Sequence, residues 1–162
     1  MSKETKTNAM RLLDRQKIPY KVNLYTCDNF IDGVHVADQL GQSYDSSFKT
    51  LVTVGKSGGH FVFVLPVDRE LDLKKAARVA GEKAVEMIHV KDILALTGYI
   101  RGGCTPLGMK KPFPTVIHES ALQFPEIIIS GGRIGAQIVL SPGDLLRATG
   151  AKTADIVKER EA

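Results

Sequence analysis

The sequence predicts a mixed α+β protein in which helices and strands are interspersed irregularly. Residues 48–54 and 60–65 are β-branched and aromatic runs separated by the turn Gly55-Lys56-Ser57-Gly58-Gly59, a pattern typical of a β-hairpin. The other helical and strand patterns lack the steady βα alternation of a doubly wound parallel sheet. A hairpin within an irregular order of elements therefore favours α+β.

The remaining elements follow from side-chain periodicity. It predicts helices at 5–17, 34–40, 72–80, 90–96, 120–124 and 142–149, and strands at 20–25, 84–88, 115–118, 126–130 and 136–140. In the first strand, Tyr20, Val22 and Leu24 are expected to face the core, and Tyr25 to point the opposite way, into a cleft. In the helix at 72–80, Leu73 is expected to point inward.

Capping residues define several helix ends. Asp72 and Ser141 each precede a helical pattern and can accept hydrogen bonds from its first N–H groups. Gly41, Gly81 and Gly150 follow helical patterns at the position where a left-handed backbone usually ends a helix. Three of the predicted helices therefore have a defined last turn.

Length and composition indicate one folded domain spanning residues 1–162. A chain of 162 residues buries roughly 70% of its unfolded surface on folding. Its 43% hydrophobic and 25% charged residues are ordinary for globular proteins. No apolar run approaches the ~20 residues of a membrane span, and the polar N-terminus does not resemble a signal peptide, so we expect a cytoplasmic protein with no membrane partner.

Charge and motifs narrow the possible chemistry. The net charge of +4 agrees with an anionic partner without requiring one. Cys27 and Cys104 are isolated, and the four histidines are scattered, so neither a metal site, a disulfide nor a catalytic triad is predicted. Walker and dinucleotide motifs are missing from the sequence, and no cofactor is therefore expected.

The most unusual stretch is the glycine-rich loop at 98–111. Its glycines allow close approach of a ligand to the backbone, and Arg101, Lys110 and Lys111 favour an anionic ligand such as phosphate or a nucleic-acid backbone. The alternative is a tight connection without a ligand. Cys104 in this loop is either a small packing residue, which we favour, or a nucleophile.

Lys49 is the second unusual residue, because it lies within an otherwise apolar strand. A lysine there is either an edge charge that discourages aggregation or a cation positioned in a pocket. The residues alone leave both possibilities open.

Four segments together resemble the YbaK/EbsC family of free-standing Cys-tRNA(Pro) deacylases, which is related to the editing domain of prolyl-tRNA synthetases. They are Phe48-Lys49-Thr50-Leu51, the run at 71–77, the loop at 97–111 and Ser130-Gly131-Gly132-Arg133. The resemblance covers nearly the whole chain. It implies a partly barrelled, mixed β-sheet surrounded by helices, and removal of a wrong amino acid from the 3′ acceptor end of tRNA.

The resemblance also implies roles for individual residues. Lys49 matches the lysine that holds the phosphate or sugar of the terminal nucleotide, and Gly102 and Gly103 match the loop around the aminoacyl ester. Expected substrate contacts are Tyr25, Phe30, Thr105 and Gln137, and expected tRNA contacts are Arg101, Lys110, Lys111 and Arg133. The implied partners are aminoacyl-tRNA and prolyl-tRNA synthetase, with no role for DNA.

Catalysis in this family does not require a protein nucleophile. In cysteinyl members the thiol of the substrate attacks its own ester and releases a thiolactone, so the protein supplies orientation and oxyanion stabilisation. Cys104-Thr105 and Ala136-Gln137 depart from the pattern of those members. Three alternatives remain: a deacylase that removes alanine from tRNA(Pro) with water, a non-catalytic module that binds tRNA or a synthetase, and a hydrolase that uses Cys104.

Overall fold

A computed structural model of the protein describes residues 6–27 and 31–160. In this part of the chain, five α-helices surround two β-sheets. The helices are α1 (Asn8–Arg15), α2 (Gly33–Leu40), α3 (Leu73–Ala80), α4 (Ile93–Thr97) and α5 (Pro142–Thr149), with 3₁₀ turns at Val90–Asp92 and Glu119–Gln123. The strands are β1 (Lys21–Leu24), β2 (Phe48–Gly55), β3 (His60–Pro66), β4 (Val85–Met87), β5 (Thr115–His118), β6 (Ile127–Ser130), β7 (Ala136–Leu140) and β8 (Lys152–Ala154).

The larger sheet is mixed and has the strand order β4-β2-β3-β5-β8. The predicted β2–β3 hairpin is antiparallel, as is the pairing of β4 with β2, whereas β5 runs parallel to β3 and β8 runs parallel to β5. The smaller sheet, β1-β7-β6, is antiparallel throughout. The mixed α+β class is confirmed.

The two sheets meet where β2 begins. A parallel bridge joins Ser47 to Ile128, and the Ile128 N–H donates to the carbonyl of Ser46 at 2.9 Å. Among the described residues the sheets do not close into a barrel beyond this junction. The expected partial barrel is therefore an open junction of two sheets, and a cavity lies beside it.

Two hydrophobic clusters cover the two faces of β3. Val62 and Val64 belong to the cluster that also contains residues of α1, α5 and the smaller sheet, whereas Phe63 and Leu65 belong to the cluster beneath α3. All four side chains are fully buried. Because successive side chains of a strand point to opposite faces, this single strand contributes to both parts of the core.

The helix caps agree with the sequence prediction. The side chain of Asp72 accepts hydrogen bonds from the N–H groups of Lys74 and Lys75, and Ser141 accepts one from Asp144. Gly41, Gly81 and Gly150 end their helices in the left-handed conformation.

The prediction for the orientation of β1 was wrong. Val22 and Leu24 are 40% and 53% exposed, whereas Asn23 points inward and bonds to Gln137. The reason is that the inner face of the smaller sheet carries polar groups, which the alternation of apolar residues in β1 does not reveal. Leu73 is likewise 41% exposed, because the first residue of α3 lies at the rim of the core.

Two further differences concern short elements. The predicted helix at 90–96 is divided into a 3₁₀ turn and α4. Strand β8 was not predicted, because three residues without an apolar pattern pair with β5 only through tertiary contact. Within 6–27 and 31–160, no helix has both the length and the apolar character needed to cross a membrane.

Candidate active site

A cavity of about 420 Å³ lies beside the junction of the two sheets. Its walls come from the first half of β2, the ends of β6 and β7, the first turn of α2, the segment leading into α4 and the glycine-rich loop. Residues relevant to chemistry that line it are Tyr25, Asp32, Lys49, Arg101, Gly102, Cys104, Ser130 and Gln137. The fold thus brings together side chains from most of the length of the chain.

Lys49 is the half-buried cation among the residues that line this cavity. Burial lowers the pKa of its ammonium group, and the nearby carboxylates of Asp68, Asp32 and Glu70 oppose that shift. Within the described residues, Lys49 makes neither a hydrogen bond nor an ion pair. A half-buried ammonium without a close internal partner favours a bound anion, so its position in the cavity supports the pocket interpretation over the edge-charge interpretation.

Asp32 is the N-cap residue of α2 and contributes a carboxylate to the cavity lining. Its carboxylate accepts a hydrogen bond from the His35 N–H at 2.9 Å and lies 2.7 Å from the Nδ1 atom of His35. These contacts lower the pKa of Asp32, and Lys49 contributes to the same shift. The carboxylate is therefore ionised at neutral pH, and it is held as a helix cap instead of forming an ion pair with Lys49.

The glycine-rich loop contributes main chain to the lining of the cavity. Gly102 has φ of 90°, a conformation that side-chain-bearing residues rarely adopt. Both Gly102 and Cys104 line the cavity, and no described residue accepts a hydrogen bond from the main-chain N–H of either. Main-chain N–H groups that lack an acceptor in the described part of the chain, close to a cation, suit an oxygen that carries negative charge.

Gly103 has a packing role in the same loop. A Cβ atom at this position would lie 2.8 Å from the Cα atom of Arg133. Its own N–H donates to the carbonyl of Ile100 at 3.0 Å. Gly103 therefore allows close contact between two glycine-rich loops, and it is not among the residues that line the cavity.

Cys104 lies in the cavity wall as a protonated thiol. Burial raises its pKa to about 11, with a smaller opposing effect from a hydrogen bond to Thr97. None of the four histidines, all of which the structure describes, lines the cavity. A neutral thiol without a neighbouring base is a poor nucleophile, which disfavours a hydrolase that uses Cys104.

Comparison with known proteins identifies the family. The model of the aminoacyl-tRNA editing domain matches residues 33–148, which is more than half of the chain. The chain belongs to the aminoacyl-tRNA editing domain family.

Individual relatives agree with this assignment. EbsC of Enterococcus faecalis, named as a candidate Cys-tRNA(Pro)/Cys-tRNA(Cys) deacylase, is 48% identical over 154 residues and is matched over 94% of both chains. A solved structure described as a candidate trans-editing enzyme for prolyl-tRNA synthetase has a TM-score of 0.83 at 28% identity, covering 94% of this chain and 96% of that chain. A scaffold used for computational epitope grafting also has a TM-score of 0.83 at 28% identity, covering 96% of this chain and all of the other.

The editing-domain cavity contains some of the predicted substrate contacts. Tyr25 lines it, as its position at the end of the first strand predicted, and burial raises the pKa of its hydroxyl. Gln137 also lines it and is buried. Thr105 is fully buried outside the cavity lining, and its hydroxyl has no hydrogen-bond partner among the described residues. Phe30 lies outside the described residues.

The predicted tRNA contacts of the editing domain divide into two groups. Arg101 is exposed and lines the cavity, whereas Arg133 lies on the neighbouring loop, half-buried and against Gly103. Lys110 and Lys111 are exposed and lie outside the cavity lining, and the Lys110 ammonium donates to the carbonyl of Ala95 at 3.4 Å. The structure therefore places only Arg101 of these four residues in the cavity wall.

Several polar residues that line the cavity or form hydrogen bonds with its lining residues were not identified from the sequence. Asp32 could have been found from its position three residues before His35 at the start of a helix, which is the pattern of an N-cap. Asn23 and Gln42 contact Gln137 across the fold, and no local sequence signal marks them. Among the described residues, no cluster of three or more histidine, cysteine or acidic side chains could hold a metal ion.

Proposed function

We propose that this protein is a trans-editing deacylase that removes a mischarged amino acid from tRNA, with cysteine on tRNA(Pro) as its preferred substrate. The observation that carries the proposal is the combination, in one cavity, of a cysteine kept as a neutral thiol with a lysine and main-chain N–H groups that have no hydrogen-bond partner among residues 6–27 and 31–160. This arrangement can hold and polarise an activated ester without attacking it. The name of the E. faecalis relative supports cysteine as the amino acid.

Lys49 anchors the terminal nucleotide in this proposal. Its ammonium group binds the phosphate or the sugar of the acceptor end, since none of the described carboxylates forms a hydrogen bond or ion pair with it. Burial strengthens such a contact because the local dielectric is lower than that of water. The acyl ester then lies deeper in the cavity, towards Gly102 and Gln137.

The main-chain N–H groups of Gly102 and Cys104 form the oxyanion site. When the ester carbonyl is attacked, negative charge develops on its oxygen, and donors held in place by the loop stabilise it without reorganisation. Gly103 supports this geometry by holding the loop against the backbone at Arg133. In this proposal Gly102 faces the ester, whereas Gly103 acts indirectly by keeping the loop in position.

The nucleophile comes from the substrate. The sulfur of the cysteinyl group bonds to its own ester carbon, and the bond between that carbon and the ribose oxygen breaks. The thiol proton passes to the departing ribose oxygen, so the products are cysteine thiolactone and tRNA with a free terminal hydroxyl. The protein contributes orientation and charge stabilisation, which can account for large rate effects in intramolecular reactions.

Basic side chains extend the proposed binding surface beyond the cavity. In this proposal Arg101 contacts the phosphate next to the terminal nucleotide, and Arg133, Lys110 and Lys111 contact the acceptor stem further away. We further propose that residues 1–162 form one domain that acts in the cytoplasm, and that prolyl-tRNA synthetase is a partner. The structural relative described as a trans-editing enzyme for that synthetase supports this partnership.

A panel of charged tRNAs tests the proposed function. Cys-tRNA(Pro), Ala-tRNA(Pro), Pro-tRNA(Pro) and Cys-tRNA(Cys) are incubated with the protein and with Lys49→Ala, and the rate of deacylation is measured. We expect fast release from Cys-tRNA(Pro) and near loss of activity in Lys49→Ala. Preferred release of alanine would instead indicate attack by water, and saturable binding without release from any substrate would indicate a binding module.

Alkylated substrate distinguishes the two chemical routes. Cys-tRNA(Pro) whose thiol has been methylated keeps its ester but cannot form a thiolactone. The proposal predicts that the protein binds this substrate and does not deacylate it. Deacylation of methylated and unmethylated substrates at equal rates would rule out attack by the substrate thiol.

A further inference from the structure

Gln137 is held at the floor of the cavity by a network of side-chain amides. Its Oε1 atom accepts hydrogen bonds from Asn23 Nδ2 at 3.2 Å and from Gln42 Nε2 at 2.8 Å. Its Nε2 atom donates in return to Gln42 Oε1 at 3.1 Å. The two glutamines therefore form a reciprocal pair, although 95 positions separate them in the sequence.

The network determines which hydrogen-bonding groups of Gln137 remain available to a ligand. A primary amide carries two N–H donors and one oxygen with two lone pairs. Both lone pairs of Gln137 Oε1 are engaged by Asn23 and Gln42, and one of its two N–H groups is engaged by Gln42. One N–H donor of a buried residue in the cavity wall remains without a partner among the described residues.

We propose that Gln42 and Asn23 are positioning residues that fix Gln137 as a hydrogen-bond donor to an acceptor oxygen of the aminoacylated ribose. This inference rests on the proposed function. Without these partners the amide could rotate and present its oxygen instead, which would repel the ester oxygens. The network thus gives the remaining N–H of Gln137 a defined direction. Gln137 lies on the same face of the smaller sheet as Ser130 and Tyr25, which also line the cavity.

Gln42 lies at the end of a helix whose first turn lines the cavity. Gln42 follows the left-handed residue Gly41 at the end of α2, and the first turn of α2 lines the cavity. Gln39, one turn earlier, donates to the main-chain carbonyl of Thr26 at 3.1 Å and does not bond to Gln137. Gln39→Leu is therefore a matched control, because it removes a glutamine hydrogen bond from the same helix end without touching the network.

A double-mutant cycle tests the positioning role. Gln42→Leu should lower kcat/KM for Cys-tRNA(Pro) about 10-fold, the size expected for one well-formed hydrogen bond to a substrate. The same substitution should have little further effect when Gln137→Leu is already present, since Gln42 acts through Gln137. Gln39→Leu should leave kcat/KM unchanged. Equal losses from Gln42→Leu in both backgrounds, or no loss in either, would overturn the proposal.

Gln137→Glu tests whether Gln137 is a donor. This variant keeps the shape of the side chain but replaces the remaining N–H with a carboxylate oxygen. We expect it to lose at least as much kcat/KM as Gln137→Leu. A Gln137→Glu variant as active as the unmodified protein would show that an acceptor serves as well, and would refute the assigned direction.

Side-chain amide NMR tests the network independently of catalysis. The Gln137 amide protons should exchange slowly with solvent in the unmodified protein and in Gln39→Leu, and rapidly in Gln42→Leu. This measurement remains decisive if the protein deacylates no substrate in the panel, a result that would refute the proposed function alone. Fast exchange of the Gln137 amide in the unmodified protein would refute the network.

Discussion

Replacing Lys49 with methionine removes the only positive charge that β2 places in the cavity, while keeping an unbranched side chain of similar length. A hydrogen bond between charged groups contributes about 1.5–3 kcal/mol, which corresponds to about 10- to 150-fold in affinity. We expect the upper part of this range. The carboxylates of Asp68, Asp32 and Glu70 would remain beside the cavity and repel the phosphate once the ammonium is gone.

The same substitution should affect folding in the opposite direction. Burial lowers the pKa of Lys49, so the folded state disfavours the charged form relative to the unfolded state. Lys49→Met should therefore maintain or raise the free energy of unfolding near neutral pH. Between the folded pKa and the ordinary value of 10.5, the unfolded chain binds more protons. The unmodified protein should consequently gain stability as the pH rises through that interval, and the variant should lack this gain.

Two measurements on the same preparations separate these effects. Single-turnover deacylation of Cys-tRNA(Pro) over a range of protein concentrations gives apparent affinity and rate, and urea denaturation gives the free energy of unfolding. Lys49→Arg serves as the control, because it keeps the charge and changes only the geometry. If Lys49→Met retained the affinity of the unmodified protein while remaining folded, Lys49 would not be the nucleotide anchor.

Three further predictions concern other parts of the fold. Cys104→Ala should keep kcat close to that of the unmodified protein, since a thiol with a pKa of about 11 is neutral at assay pH, whereas loss of a true nucleophile would reduce kcat by several orders of magnitude. Gly103→Ala should lower the free energy of unfolding by about 1–3 kcal/mol in urea denaturation, because its Cβ would lie 2.8 Å from the Cα atom of Arg133. Gly143→Ala is the control and should not destabilise the protein, because a Cβ added at Gly143 would meet no atom within 4 Å. Burial lowers the pKa of His118, so its contribution to the free energy of unfolding should be complete above about pH 6.5 and be lost as the pH falls through the lower folded pKa. His118→Gln should flatten this pH dependence of the free energy of unfolding between about pH 7.5 and 5. An unchanged slope would contradict the assignment.

Local chemistry in the sequence was sufficient for the regular elements. The β2–β3 hairpin depends on a turn and on alternating side chains that are neighbours in the chain, and the helix ends depend on Asp72, Ser141 and three glycines within one turn of each end. The resemblance of the glycine-rich loop and of the strand around Lys49 to one family also required only order and spacing. These features are encoded within a few residues, so they can be recognised without a structure.

Tertiary contacts determined how the candidate site is assembled. Only the structure shows that Lys49 lines a cavity, that Gly102 borders it while Gly103 packs against Arg133, and that Cys104 is a half-buried, neutral thiol.

The inner face of β1 shows why sequence alone was insufficient. Val22 and Leu24 suggested an apolar inner face, but the partner of Asn23 is Gln137, 114 positions away. Burial and hydrogen bonding at such positions depend on which distant segments the folded chain brings together. The sequence by itself therefore determined most of the elements and the family, whereas the direction and protonation of the groups around the cavity were decided by long-range packing.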